Sequence, residues 1–163
     1  MRLTGFFTVS LPILSIIPST SAWGTLGHEA VADIAASSLK PATTSFCQNL
    51  LSDTTANYLA SVSTWADTFR YTSAGSFSKA FHYIDARDDP PTTCGVNYAR
   101  DCGGGGCVVA AIANYTMRVK DQTLSREQRF QALKFLIHFI GDIHQPLHDE
   151  NLDIGGNTIQ VTL

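Results

Sequence analysis

Apolar residues recur at helical spacing from Leu26 to Leu39. Leu26, Ala30, Val31, Ile34, Ala35 and Leu39 predict one helix before the break at Pro41. The spacing predicts a second helix over Thr43 to Leu51 and a third over Ala56 to Phe69. Val108 to Lys120 also reads as a helix. The clearest signal follows it. Ser125 and Gln128 stand at the two positions of a capping box. Phe130, Leu133, Lys134, Leu136, Ile137 and Ile140 then carry a helical pattern to about Ile143, and Pro146 ends it. Residues 85–106 hold Asp88-Asp89, Pro90-Pro91, Gly95 and four consecutive glycines, and read as a long loop. Only Thr158 to Thr162 is β-prone. The pattern predicts a mainly α fold, with no internal repeat.

Residues 1–22 stand apart. Arg2, an apolar stretch and the small-residue ending Thr20-Ser21-Ala22 match a secretory signal peptide cleaved after Ala22. The stretch is short and broken by Pro12, Ser15 and Pro18, which argues against a membrane anchor. Residues 23–163 are then long enough for one domain with a core of its own. The protein is expected to be secreted and extracellular, with no stable membrane association and no protein partner evident in the sequence. Export also suits disulfides. Cys102 and Cys107 flank the four glycines, which bend freely enough to close a small local loop. Cys47 and Cys94 can pair with each other or with cysteines not present here. Asn114-Tyr115-Thr116 makes Asn114 a glycosylation acceptor in an exported chain.

Hydrophobic content of 44% and charged content of 15% exclude a disordered or collagen-like chain. A formal net charge of −3 excludes a protein that coats nucleic acid through a bulk positive field. A polyanionic substrate must be held by a few cationic side chains or by metal ions.

Histidines and aspartates supply candidates for the second route. His138 and Asp142 lie four apart on the strongest helix, so they share one face. Such a pair is a surface ion pair or two ligands of one metal. The apolar surroundings favour the metal, since an unpaired charge in a core is costly. Gly141 gives close backbone access beside the pair, and His148 stands just past the proline stop. Asp67 and Arg70 are three apart on a mostly apolar helix, and His82 sits between bulky residues. Taken alone, the first two read as an ion pair and the third as a core histidine. Trp23 would be the new N-terminus; its free amine, with a pKa of about 7.7–8.0, can bind a metal together with its own carbonyl.

The segments Trp23-Gly-Thr-Leu-Gly-His28, Trp65-Ala-Asp67, Phe81-His82-Tyr-Ile-Asp85 and His138-Phe-Ile-Gly-Asp142-Ile-His-Gln-Pro-Leu-His148 together resemble the fungal secreted single-strand-specific zinc nucleases. Bacterial zinc-dependent phospholipase C is a distant relative of that family on the same helical fold. The resemblance covers residues 23–163 and rests on the order and spacing of several separate motifs. It implies a multi-helix single domain of the phospholipase C/nuclease type, with three zinc ions in the complete site.

Carried over by position, Asp67, His82, His138 and Asp142 would hold one zinc. The amine and carbonyl of Trp23, with His28 and the other oxygen of Asp142, would hold a second. His148 would be a ligand of the third. Arg70 matches an arginine near the phosphate. Tyr83 and Asp85 match an aromatic and an acid against a nucleobase, and Ile154 matches the apolar side of that pocket. His144 sits in the pattern as a structural residue. Cys102 and Cys107 match a family disulfide, and Cys94 matches a cysteine whose partner lies beyond Leu163. The family completes its third zinc with a His and an Asp four apart, and this sequence stops before them. The resemblance therefore implies the N-terminal portion of a longer nuclease, with two zincs within its own reach.

The expected reaction is zinc-dependent phosphodiester hydrolysis of single-stranded DNA and RNA to 5′-nucleotides, with 3′-nucleotides as further substrates. Asp67 would orient the attacking water and Arg70 would spread the developing charge. A phospholipase-C-like lipid phosphodiesterase and an inert zinc-binding fragment are the competing readings.

Overall fold

A computed structural model describes residues 24–159. The leader, Trp23 and most of the β-prone tail, from Gln160 on, lie outside the described residues.

The described chain is helical, with two isolated bridges, Ala86 to Glu150 and Asp89 to Thr93, and no named strand among these residues. α1 spans Thr25–Ser38, α2 Pro41–Leu51, α3 Trp65–Phe69, α4 Tyr98–Asp101, α5 Val108–Lys120 and α6 Arg126–Asp142. Short 3-10 helices cover Ala60–Val62, Ser76–His82 and Pro146–Asp149. Pro41 opens α2, where its missing N–H costs nothing and its fixed φ suits the first turn.

α6 is the axis of the molecule. The Ser125 hydroxyl accepts from the Gln128 backbone N–H, and the Gln128 side chain accepts from the Ser125 N–H. Two of the helix's unpaired amides are thus satisfied at its start. α6 packs on α5, α1, α3 and α2, and its aromatics centre the core. Phe135 stacks on Phe139 and Tyr115 at 5.3 and 4.6 Å, and Trp65 meets its edge at 5.1 Å. Lys134 is buried with them. Its ammonium lies over the Trp65 and Phe130 rings at 3.8 and 4.3 Å, an arrangement that offsets part of its desolvation.

Two expectations need correction. The helix predicted over Ala56 to Phe69 is broken into turns, a 3-10 helix and α3. The Ser61 and Ser63 hydroxyls bond the Tyr58 and Ala60 carbonyls and compete with a continuous ladder. The loop at 85–106 contains α4, whose N-cap Asn97 accepts from the Arg100 amide. α1 forms as expected, yet it buries His28 and Ala32 while Leu26 and Ile34 stand outward.

Cys102 and Cys107 form a disulfide across the glycine turn, while Cys47 and Cys94 are free. The bridge sits where the chain enters α5, and the Val108 amide there donates to the Tyr83 carbonyl at 3.0 Å. On its other side the same segment donates from Ile84 to the His148 carbonyl at 2.9 Å and from Ala86 to Asp149 at 3.2 Å. Residues 83–86 are therefore clamped between α5 and the chain that follows α6.

Candidate metal centre

Five elements deliver side chains to one point. α1 brings His28, α3 Asp67, the second 3-10 helix His82, α6 both His138 and Asp142, and the third 3-10 helix His148. Asp142 is the hub, and its two oxygens face different partners. Oδ2 lies 3.0 Å from His82 Nδ1 and 3.1 Å from His138 Nε2. Oδ1 lies 3.4 Å from His28 Nε2 and 4.0 Å from His148 Nε2. Asp67 Oδ1 closes the first group, 3.7 Å from His82 Nδ1 and 3.6 Å from His138 Nε2.

These distances suit a small cation. Four ligands at 2.0–2.1 Å on a tetrahedron are about 3.3–3.4 Å from one another. Among Asp142 Oδ2, His82, His138 and Asp67, the edges that involve an imidazole run from 2.9 to 3.7 Å. The donor chemistry agrees. His138 Nδ1 is 2.6 Å from the Ser63 carbonyl, an acceptor, so Nδ1 carries the proton and Nε2 turns its lone pair inward. This is how metal-binding imidazoles are usually oriented from behind. The lone pair faces two carboxylate oxygens and another imidazole nitrogen, an arrangement that demands a cation or a proton between them. Both ring nitrogens of His28 and Oδ2 of Asp142 are buried without a hydrogen bond among the described residues. His28, Asp67 and His138 form a second group of donors close enough to share one ion. The residues present fit a metal.

The electrostatics follow from burial and proximity. Burial works against ionisation of Asp142, but the imidazoles of His138, His28 and His82 outweigh it and hold the carboxyl well below the usual range. Burial likewise opposes protonation of His138; Asp142, Asp67 and the Ser63 carbonyl outweigh it and raise the pKa. Burial lowers His82 and His148.

Two glycines shape the pocket. A Cβ on Gly141 would come 2.3 Å from His28 Nδ1, so only glycine lets α1's imidazole lie against α6. The His28 ring then stacks on His138 at 4.2 Å. Gly155, with φ +64°, hydrogen-bonds His148 through its backbone, and a Cβ there would crowd His148 Nδ1 at 3.1 Å.

The group opens into a cleft of about 930 Å³. Arg70 stands at its edge, 3.4 Å from Asp67. Tyr83, Asp85 and Ile154 line it as well, so all three residues expected against a base share the cleft with the His/Asp cluster. Ile154 is 78% exposed and sits in a left-handed turn with Asp153, Gly155 and Gly156. His144 points away and bonds the Ile140 carbonyl at 2.6 Å. Asn114 is exposed on α5, far in sequence from the cleft's residues. Trp23 lies outside the described residues. Sequence reasoning missed Ser63, because a main-chain carbonyl carries no side-chain signature, and it missed Tyr71 and Lys79, which also line the cleft.

The S1/P1 nuclease family model matches residues 23–163. Nuclease S1 of Aspergillus oryzae is 54% identical over 154 residues, covering 94% of this chain and 53% of its own length. Nuclease P1 of Penicillium citrinum is 54% identical over 140 residues, covering 86% and 52%. Endonuclease 3 of Arabidopsis thaliana is 35% identical over 160 residues, covering 94% and 53%. The chain spans about half the length of these relatives.

Proposed function

The chain belongs to the S1/P1 nuclease family, and from that premise we propose that its His/Asp cluster holds zinc and serves hydrolysis of phosphodiesters in single-stranded DNA and RNA. Strand cleavage yields 5′-nucleotides; the 3′-phosphate of a mononucleotide is a second substrate of the same centre, hydrolysed to nucleoside and inorganic phosphate. The observation that carries this reading is Asp142, whose two oxygens face different imidazoles, Oδ1 towards His28 and Oδ2 towards His82 and His138, so that it would offer donors to more than one ion.

Asp67, His82, His138 and Asp142 hold one ion. His28, the second oxygen of Asp142 and the freed terminus of Trp23 hold another. His148 contributes to a third. When bound, zinc supplies Lewis acidity and brings the pKa of a coordinated water to about 7. Asp67 is the most exposed of these carboxylates, which suits it to orient the attacking water and take up its proton. Arg70, tied to Asp67, meets the negative charge of the phosphate. Tyr83 stacks the base, Asp85 accepts hydrogen bonds from its edge, and Ile154 covers its apolar side. A paired base must first unstack to reach Tyr83, which favours single strands. Secretion with removal of residues 1–22 accounts for Trp23, the disulfide and an exposed Asn114 open to glycosylation. No helix among the described residues is long and apolar enough to cross a membrane.

The test is zinc counting on the chain starting at Trp23, with hydrolysis of denatured DNA, 3′-AMP and phosphatidylcholine measured with and without chelator. Two zincs per chain and chelator-sensitive turnover of the first two substrates are expected. Lipid turnover alone would instead establish the phospholipase reading. Bound zinc without turnover of any substrate would leave a metal-binding fragment.

A further inference from the structure

Tyr83 and Asp85 reach the cleft because their segment is extended and its side chains alternate. Tyr83 has φ −152° and ψ 169°, and Ile84 and Ala86 are buried, so Tyr83 and Asp85 turn the other way. Backbone hydrogen bonds on both flanks fix that alternation. One flank is the chain after α6, where the Ile84 amide donates to His148 and the Asn151 amide donates to the Ala86 carbonyl at 3.3 Å. The other flank has two grips. The Val108 amide holds the Tyr83 carbonyl, and Asp101 Oδ1 accepts from the Arg87 amide at 3.3 Å. Asp85 lies midway between the gripped residues.

The two grips differ in their own support. Val108 is fully buried at the start of α5, which packs on α6. Asp101 ends α4, and every residue from 91 to 100 is exposed. Gly103 to Gly106 run between the grips, with the greatest backbone freedom the chain can have. Cys102 follows Asp101 and Cys107 precedes Val108. The disulfide therefore joins the two grips directly and takes the glycines out of the path. The turn it closes lies against the body of the protein, where a Cβ on Gly106 would come 2.7 Å from the Phe81 ring.

We propose that the Cys102–Cys107 bridge and Asp101 act together as a positioning device for base recognition. The bridge anchors Asp101 to α5, and Asp101, through the Arg87 amide, holds Asp85 at the edge of the base. The device rests on the nuclease reading, since it presumes a base against Tyr83 and Asp85. It makes no contact with the His/Asp cluster, so a ligand that has a phosphate and no base does not depend on it.

Calorimetric titration of the zinc-loaded chain from Trp23 tests it, with 5′-AMP as the ligand that carries a base and inorganic phosphate as the one that does not. Cys102→Ala with Cys107→Ala is expected to weaken 5′-AMP binding about ten-fold, with phosphate affinity and zinc content unchanged. Asp101→Ala, which keeps the bridge, is expected to give the same loss. All three substitutions together are expected to cost about ten-fold again, not about a hundred-fold, because both changes release one grip. Losses that multiply would show two independent structural effects and overturn the device. Unchanged 5′-AMP affinity in both variants would overturn it and leave the nuclease reading standing. Equal losses for 5′-AMP and phosphate would place the damage in the metal centre or the fold, and also overturn it. A wild type that binds neither ligand would overturn the nuclease reading together with the device.

Discussion

At the scale of single residues, the centre depends on groups that carry no metal ligand themselves. Gly141 is one. A methyl group there would collide with His28 Nδ1, a ring already packed on His138 and shut from solvent on α1. Gly141→Ala is expected to push His28 away from Asp142, lowering zinc per chain, and to cost about 1–3 kcal/mol by overpacking. Zinc analysis and denaturant unfolding in chelator separate the two effects, and full zinc loading at wild-type stability would refute the account. Ile154 is the opposite case. A β-branched residue at φ +56° is strained, and little packing holds a side chain 78% exposed. Ile154→Gly is expected to raise stability by about 1 kcal/mol while weakening nucleotide binding. Lower stability in chemical denaturation would show that the turn is not strained. The His138–Asp142 pair was legible because helical spacing alone places it on one face. The lysine-and-tyrosine edge of the cleft was not, since Tyr71 and Lys79 become neighbours of the site only through the turn at Gly75.

At the scale of elements, the break in the predicted helix over Ala56 to Phe69 is what makes the centre work. In a continuous helix the Ser63 carbonyl would accept from the Asp67 amide. Here that amide turns to Thr64 at 3.2 Å, and the Ser63 carbonyl is left for His138. Apolar periodicity could not reveal this, because it reads faces and not which carbonyls are spared. The same limit explains α1. Its apolar residues mark a helix correctly, but the face turned inward carries His28, whose burial is driven by its partners. Asp101 organises the loop before α5 in a comparable way. Its carboxylate accepts from the Arg87 and Asn97 amides and pairs with Arg100, and these contacts, led by Arg100, hold its pKa at about 2. A depressed carboxyl stabilises the fold fully above its unfolded value of about 3.9, and that support fades as pH falls from about 4 through 2. A carboxyl carbon titration by NMR should show a midpoint at about 2, and Asp101→Asn should remove this part of the acid dependence. A midpoint near 4 would show that the loop does not depend on the charge.

At the scale of the whole molecule, the clustered side chains span the chain from His28 to His148 and come from five elements that share no continuous sheet among the described residues. Helix packing through α6 sets their approach, but Asp142 meets imidazoles from α1, α6 and two 3-10 helices at 3.0–4.0 Å. Buried carboxylate and imidazole donors at that spacing stabilise a fold only when a cation or a proton lies among them, since each pays desolvation. On the proposed zinc reading, metal binding would supply folding energy here, more than in a site grafted on a finished scaffold. Free zinc at about 1,000 times its dissociation constant adds about 4 kcal/mol. For a domain of this size that is about 8–16 °C in Tm. Calorimetry of the chain from Trp23, run in chelator and then in rising free zinc, should show that rise, and Asp142→Asn should flatten it. A Tm independent of zinc in the wild type would mean that α6 and its aromatic core hold these five elements together without the ion.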